Sequence, residues 1–250
     1  MTKNAAFGTI FNIGTRQVET AVIVGTIVNP GNATITTTAT TLVAESPVVT
    51  SVAVLAADTA DVVAAKIAAA LNAVAALTDH FQITSVGANV ILKALLPAAN
   101  NASINLAYTN DTCSGLTPDA NSDDTTAGVA YVAVANVTNI GGPGLAADTV
   151  DVTTHDSTSG WEEVVSTILH SGEVKLDIVY DPNAASHSYA TDGLAERYVS
   201  KKLTRCQLIF PGPYTWTFSA YVTGYEPSES VDGALTAAIT LKLTNAPILV

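Results

Sequence analysis

From residue 172 onward the chain alternates apolar and polar positions with a period of two. Val174, Leu176, Ile178 and Tyr180 alternate with Glu173, Lys175 and Asp177, the pattern of a strand with one buried and one wet face. The same period recurs with Trp216, Phe218, Ala220 and Val222 against Thr215, Thr217, Ser219 and Thr223, and with Leu235, Ile239, Leu241 and Leu243 against Thr236, Thr240 and Lys242. Pro-Gly-Pro at residues 211–213 and the stretch 226–233 punctuate these runs, so antiparallel strands joined by turns are expected. Residues 161–169 follow Ser159 and put Trp161, Val164, Val165, Ile168 and Leu169 at helical spacing. That spacing predicts a short amphipathic helix over one face of the sheet, with Glu162 and Glu163 in its electropositive first turn. Residues 184–202 read as mostly loop with some helix, because Gly193 interrupts them.

The first half carries a different pattern. Residues 59–77 are Ala-rich and place Val63, Ile67, Leu71 and Val74 on one stripe, with Asp58 positioned to cap the helix and Asp61 near its dipole end. Strand-like runs flank this helix at 19–28, 33–40, 48–55, 81–86, 89–95 and 103–108, which makes a compact α+β unit. The polar stretch 117–128, with Asp119, Asn121, Ser122, Asp123 and Asp124, reads as a linker back into β structure at 129–137.

Length and composition narrow the classes. A chain of 250 residues buries a sizeable core without metals or cross-links. Cys113 and Cys206 lie far apart with no CxxC spacing, which suits a reducing compartment better than a disulfide scaffold or a zinc site. The start, MTKNAAFGTIFNIG, lacks a basic segment followed by an apolar one, and no run reaches the roughly 18 apolar residues of a membrane span. A soluble protein made in the cytosol, with no membrane anchor, is expected. Only 13% of residues are charged, against about 25% in ordinary domains, which points to a surface covered in large part by neighbouring subunits. The net charge of −12 opposes a tight grip on phosphates.

No constellation of reactive residues stands out. His155 and Asp156 lie close to Asp151, Ser157 and Ser159, but without a G-x-S-x-G elbow or H-E-x-x-H spacing they read as a polar loop that caps the next element. His80, His170 and His187 are scattered and fit surface or loop roles. Gly141, Gly142 and Gly144 surround Pro143, yet no Lys-Ser/Thr follows to make a phosphate cradle. Lys201, Lys202 and Arg205 beside Tyr198 form one short basic cluster in an acidic chain, which fits a contact between subunits better than a nucleic-acid site. No catalytic residue, cofactor or metal site is expected.

One long segment does carry a resemblance. NVTNIGGPGLAADTVDVTTHDSTSGWEEVVSTILHSGEVKLDIVYDP, residues 136–182, resembles the signature region of lambda-type tail tube proteins of long-tailed bacteriophages. It has a Gly-Pro turn before a strand of the form D-x-(I/V)-D-V-T, then a short helix, then a Gly-Glu pair that opens a strand closed by Asp-Pro. Gly142, Pro143, Asp148, Asp151, Val152, Thr153, Gly172, Glu173, Asp181 and Pro182 match that pattern. TWTFSAYVTGYEPSESVDGALTAAITLKLTNAP, residues 215–247, resembles the end of such proteins, and residues 6–13 their first strand.

The resemblance implies a mainly β fold: a tail-tube β-sandwich or barrel with a flanking short helix, built from residues 1–18 and 129–250. Residues 19–128 would be an inserted α+β accessory domain with its linker, carried outside the tube. It further implies a structural subunit of the virion, assembled in the host cytoplasm, that closes into hexameric rings stacked through extended loops into a tube. Tape measure, tail tip and terminator proteins would be its partners, and viral DNA would pass through without specific binding. Assembly and loop candidates are Gly142, Pro143, Asp148, Asp151, Thr153, His155, Asp156, Gly172, Glu173, Lys201, Lys202 and Arg205. Asp148, Asp151, Asp156, Glu173 and Asp177 are the candidates for an acidic lumen. The competing reading is a bacterial surface adhesin whose inserted domain binds a glycan.

Overall fold

The computed structural model describes residues 8–157, 161–189, 192–229 and 233–250. The chain divides into two compact units, one of Met1–Ile13 with Tyr131–Val250 and one of Gly14–Ala130. Along the chain, β1 (Ile10–Thr15) leads into the second unit. That unit holds β2 (Val18–Val22), β3 (Gly25–Asn29), β4 (Gly31–Thr38), β5 (Val48–Val54), α1 (Ala60–Asn72), α2 (Ala75–Thr78), β6 (Phe81–Val86), β7 (Asn89–Ala94), β8 (Asn105–Asn110), β9 (Ser114–Leu116) and β10 (Asp123–Thr126). The first unit resumes with β11 (Val129–Ala133), β12 (Val137–Gly141), β13 (Ala146–Asp151), β14 (Val164–His170) and β15 (Glu173–Val179). It ends with α3 (Leu194–Val199), β16 (Thr204–Ile209), β17 (Thr215–Ser228) and β18 (Thr236–Leu249). The fold is mainly β.

In the second unit, the sheets β10-β2-β7-β6 and β5-β4-β8 contribute to one core with α1. Val63, Ile67 and Leu71 are fully buried on the helix stripe, as their spacing predicts. The helix is shorter than its Ala-rich pattern. Asn72 turns its amide to the carbonyls of Ala68 and Ile83, at 2.9 and 3.0 Å, and α1 ends there, leaving Val74 to start α2. Asp58 does not cap α1, whose N-cap is Thr59. Its carboxylate instead accepts the Leu55 N–H at 2.7 Å and pairs with Lys66, contacts that hold its pKa below the usual range.

The stretch read as a linker is stitched down. Asp123–Thr126 is the strand β10, antiparallel to β2, and Ser122 Oγ donates to Glu19 at 2.8 Å. The strands by which the chain enters and leaves this unit are therefore hydrogen-bonded neighbours, the arrangement a self-contained excursion needs. Glu19 is buried there, its second carboxylate oxygen without a hydrogen bond. Burial, and then Asp124 and Asp123, push its pKa up against the opposing hydrogen bond from Ser122.

The first unit is organised by a seven-stranded sheet in the order β11-β1-β16-β17-β18-β15-β12. Its two edge strands are consecutive in sequence, joined only by Val134, Ala135 and Asn136. Flat, the edges would lie about 29 Å apart at the usual strand spacing, whereas the joining backbone spans at most about 14 Å. The sheet must curl. Inside the curl lie Phe11, Val174, Leu176, Ile178, Cys206, Leu208, Phe218, Ala220, Ile239 and Leu241, with Leu194 of α3 packed on them. Burial pushes the Cys206 thiol up to about 12, so it behaves as an inert core residue.

Three buried polar side chains, His187, Ser186 and Arg197, lock this unit. His187 lies in the loop between β15 and α3, as a loop role would have it, but is fully buried rather than on the surface. Its Nε2 lies 2.8 Å from the Ala135 carbonyl and its Nδ1 accepts the Asp181 N–H at 3.2 Å, which selects the tautomer protonated at Nε2. Ser186 Oγ accepts the Ala135 N–H at 3.1 Å, so the segment that joins the two sheet edges is held from both sides. Arg197 of α3 is buried as well, donating to the Asp192 carbonyl at 2.7 Å and to Thr204 at 3.2 Å. Gly193 is the N-cap of α3 rather than its interruption.

Candidate assembly surface: a clasped hairpin arm

Between β12 and β15 the chain makes an excursion whose base is a clasp of backbone on backbone. Gly142 and Gly172 both adopt positive φ, +96° and +66°, where L side chains are strained. A Cβ at Gly142 would collide with the Glu173 carbonyl, and one at Gly172 with the carbonyl of Gly144. The peptide between Gly142 and Pro143 is cis. Leu243 N–H donates to the Gly172 carbonyl at 3.2 Å and Ser171 Oγ to the Leu243 carbonyl at 3.4 Å, tying the clasp to β18. Four of the sequence candidates, Gly142, Pro143, Gly172 and Glu173, thus meet at this base.

Beyond the clasp runs a two-stranded antiparallel hairpin, β13 with β14, from Ala146 opposite His170 to Asp151 opposite Val164. The helix expected at 161–169 is not formed. Trp161 precedes a strand, and Val164, Val165, Ile168 and Leu169 lie in β14. Their three- and four-residue spacing fits a helix, but β-branched residues favour a pleated strand, and β13 supplies the backbone partner. Residue Ser159, taken to begin that helix, lies outside the described residues, as do residues 6 and 7 of the expected first strand.

Every described residue of β13 and β14 is exposed. Val150 and Val165 face each other across the hairpin at 53% and 52% exposure, and Ile168 and Leu169 reach 62% and 79%. A lone two-stranded hairpin is marginal in water, and each such side chain gains about 1.5–3 kcal/mol when fully covered. Polar bonds keep the arm in shape. Asp148 meets His170 at 3.0 Å, and the pKa of Asp151 is lowered by the Thr153 hydroxyl and then by the Thr153 N–H, which it accepts at 2.8 Å. Thr153 Oγ1 accepts the Glu163 N–H at 2.9 Å. His155 and Asp156 sit exposed in the turn that Thr154 and Ser157 close, at 3.0 Å.

The remaining candidates lie elsewhere. Glu173 and Asp177 share one face of β15 with Lys175 between them, and each has a partner: Lys242 at 3.5 Å for Glu173 and the Asn139 amide at 3.0 Å for Asp177. This face of the sheet is mixed in charge rather than uniformly acidic. The basic cluster is divided. Lys202 pairs with Asp192, Arg205 on β16 donates to Ser219 at 3.2 Å, and Lys201 is exposed at a φ of +52°. Among the described residues no group of three or more His, Cys, Asp or Glu side chains is placed to hold a metal, and no helix is long and apolar enough to cross a membrane. The sequence reading missed the uncovered apolar side chains of the arm, for which the β-branched run at 164–168 was the available signal.

The curled sheet thus carries an arm whose apolar side chains are exposed among the described residues. Residues 121–248, just over half of the chain, match the phage tail tube protein family, and the chain belongs to it. This is a family of structural proteins, and it decides between the tube reading and that of a surface adhesin. No curated protein matches the chain in sequence. Among solved structures, the virion of a native gene transfer agent particle contains a chain 17% identical, with a TM-score of 0.41, covering 48% of this chain and 88% of that one. A chain from the baseplate of the anti-feeding prophage is 9% identical at a TM-score of 0.37, covering 48% and 83%. A chain from the sheath/tube terminator of an extracellular contractile injection system is 14% identical at 0.36, covering 48% and 86%.

Proposed function

We propose that copies of this tail tube subunit close into rings, six to a ring, that stack into the channel through which phage DNA leaves the particle. The observation that carries this reading is the arm: among the described residues its large apolar side chains have no cover, and a neighbouring copy supplies it. The clasp at Gly142, Pro143, Gly172 and Glu173 aims the arm, and Asp148, Asp151, Thr153, His155 and Asp156 shape and tip it. Lys201 offers an unspent positive charge to an acidic neighbour, since every copy carries an excess of negative charge. That same excess repels phosphates and keeps the passing DNA from sticking. The Gly14–Ala130 unit is carried on the outside of the tube, and the tape measure, tip and terminator proteins meet the tube at its inner space and its ends.

Negative-stain electron microscopy of the purified chain at high concentration tests the reading, with Ile168→Asp beside the unaltered protein. Tubes or rings from the unaltered chain and none from the variant are expected. Tubes of equal yield from both would remove the arm from the assembly contact.

A further inference from the structure

The second unit treats its sheet edges unequally. Edge strands invite pairing with other chains, and proteins usually blunt them with charge, a bulge or a covering segment. Strand β10 carries Asp123 and Asp124 on its edge. On β6 the Asn72 amide occupies the Ile83 carbonyl at 3.0 Å. The outer side of β8 is taken by the returning chain, through paired bonds between Tyr108 and Asp119 and a bond from Leu106 N–H to Ser122. Strand β5 has none of these devices. Its seven residues, VVTSVAV, contain no charge and no proline. They run in unbroken register along β4, from Gly31 opposite Val54 to Thr37 opposite Val48. Among the described residues no hydrogen bond reaches Val48–Val54 from the other side.

We infer that the free edge of β5 pairs with β5 of a second copy of this chain, antiparallel about a twofold axis at Ser51. The sequence is self-complementary in that register. Ser51 meets Ser51, Val49 meets Ala53, Thr50 meets Val52 and Val48 meets Val54. Val49, Ser51 and Ala53 are exposed while Val52 and Val54 are buried, so the exposed face of one copy continues into the exposed face of the other and the core faces likewise meet. The lack of charge matters for this occupant, because two chains of net charge −12 can approach most closely where neither carries any. One strand pairing falls at the small end of interfaces, below roughly 1,200 Å² in total, so the dimer is weak and concentration-dependent. A twofold contact has no place between copies that all point the same way around a ring. The dimer therefore holds subunits in reserve and parts when they join a tube; this last step rests on the ring reading, whereas the dimer itself does not.

The full-length chain with Ser51→Cys tests the pairing, because Cys113 and Cys206 are both buried and the introduced thiol is the reactive one. On the twofold, Cα atoms of a directly opposed pair lie about 4.5–5.5 Å apart, within disulfide reach. Mild oxidation is expected to give a covalent dimer at least tenfold faster than for Thr84→Cys, an exposed position on the guarded β6 edge. Sedimentation of the unaltered chain should show its mass rising from monomer toward dimer with concentration, while Ser51→Lys, which sets lysine against lysine, stays monomeric. Cross-linking no faster than Thr84→Cys, or a Ser51→Lys variant that dimerises like the unaltered chain, overturns the proposal. Tube growth is scored separately by microscopy, so tubes that form without any such dimer count against this inference alone, and a dimer without tubes counts against the ring reading alone.

Discussion

The chain leaves its curled sheet twice, and the two excursions are built on opposite principles. The longer one, Gly14–Ala130, encloses a core of its own around Ile35, Ile67, Leu71 and Leu92, and its entering and leaving strands pair side by side. The shorter one, the arm of β13 and β14, has no described residue buried and is held only by its clasp and by hairpin bonds. The longer excursion holds a core of its own, while the shorter leaves its apolar side chains exposed among the described residues. If copies join through the arm as proposed, its apolar side chains add little to the free subunit and much to the joined one.

The largest effect that would sharpen this contrast lies at the clasp. Gly172→Val forces a side chain into a carbonyl at positive φ and should cost about 3 kcal/mol or more, read as a lowered denaturation midpoint of the tube unit. Next comes Ile67→Ala, which opens a cavity in the second unit's core and should cost about 2–5 kcal/mol. If the excursions differ as described, calorimetry of this variant will show the transition of the Gly14–Ala130 unit moving down while the other stays in place. A single transition that moves as a whole would break the comparison.

A smaller effect belongs to Glu19. Its folded pKa is raised by burial and by Asp124 and Asp123, so folding favours the protonated acid. Its contribution to stability is fully present below the unfolded value, near 4.5, and is lost as pH rises through the folded value. Glu19→Gln should therefore stabilise the second unit at neutral pH and remove the loss of stability that Glu19 brings as pH rises above about 4.5. Equal midpoints for the variant and the unaltered chain at pH 7 would count against this account. The smallest change is expected on the arm itself: Ile168→Asp should alter the stability of the free chain by less than about 0.5 kcal/mol, measured by urea denaturation at low concentration. A loss of 2 kcal/mol would mean that the arm already packs within its own subunit.

The features legible in the sequence are those whose partners lie nearby or whose pattern has one physical meaning. The stripe of Val63, Ile67 and Leu71 specifies the helix that forms, and alternation from Glu173 to Val179 specifies a half-buried strand. The arm was not legible because Trp161, Val164, Val165, Ile168 and Leu169 satisfy helical spacing, while the partner that makes four of them strand, β13, comes from before the turn. The burial of His187 was not legible for a similar reason, since the carbonyl it bonds belongs to Ala135, 52 residues away. The clasp was visible only in part: Gly142 and Gly172 stand out as glycines, but that they occupy one place requires the fold.

The three residues that join β11 to β12 have a mechanical consequence. Prising the curled sheet flat would stretch a covalent backbone across its open side, fastened in addition at Ala135 by Ser186 and His187. Hydrogen bonds between strands yield one at a time at about 1 kcal/mol each, whereas that strap yields only when the chain itself breaks or the edge strands peel away. The radius of curvature is thus set by chain length rather than by the balance of weak forces, and a wall made of such pieces would keep its bore under load.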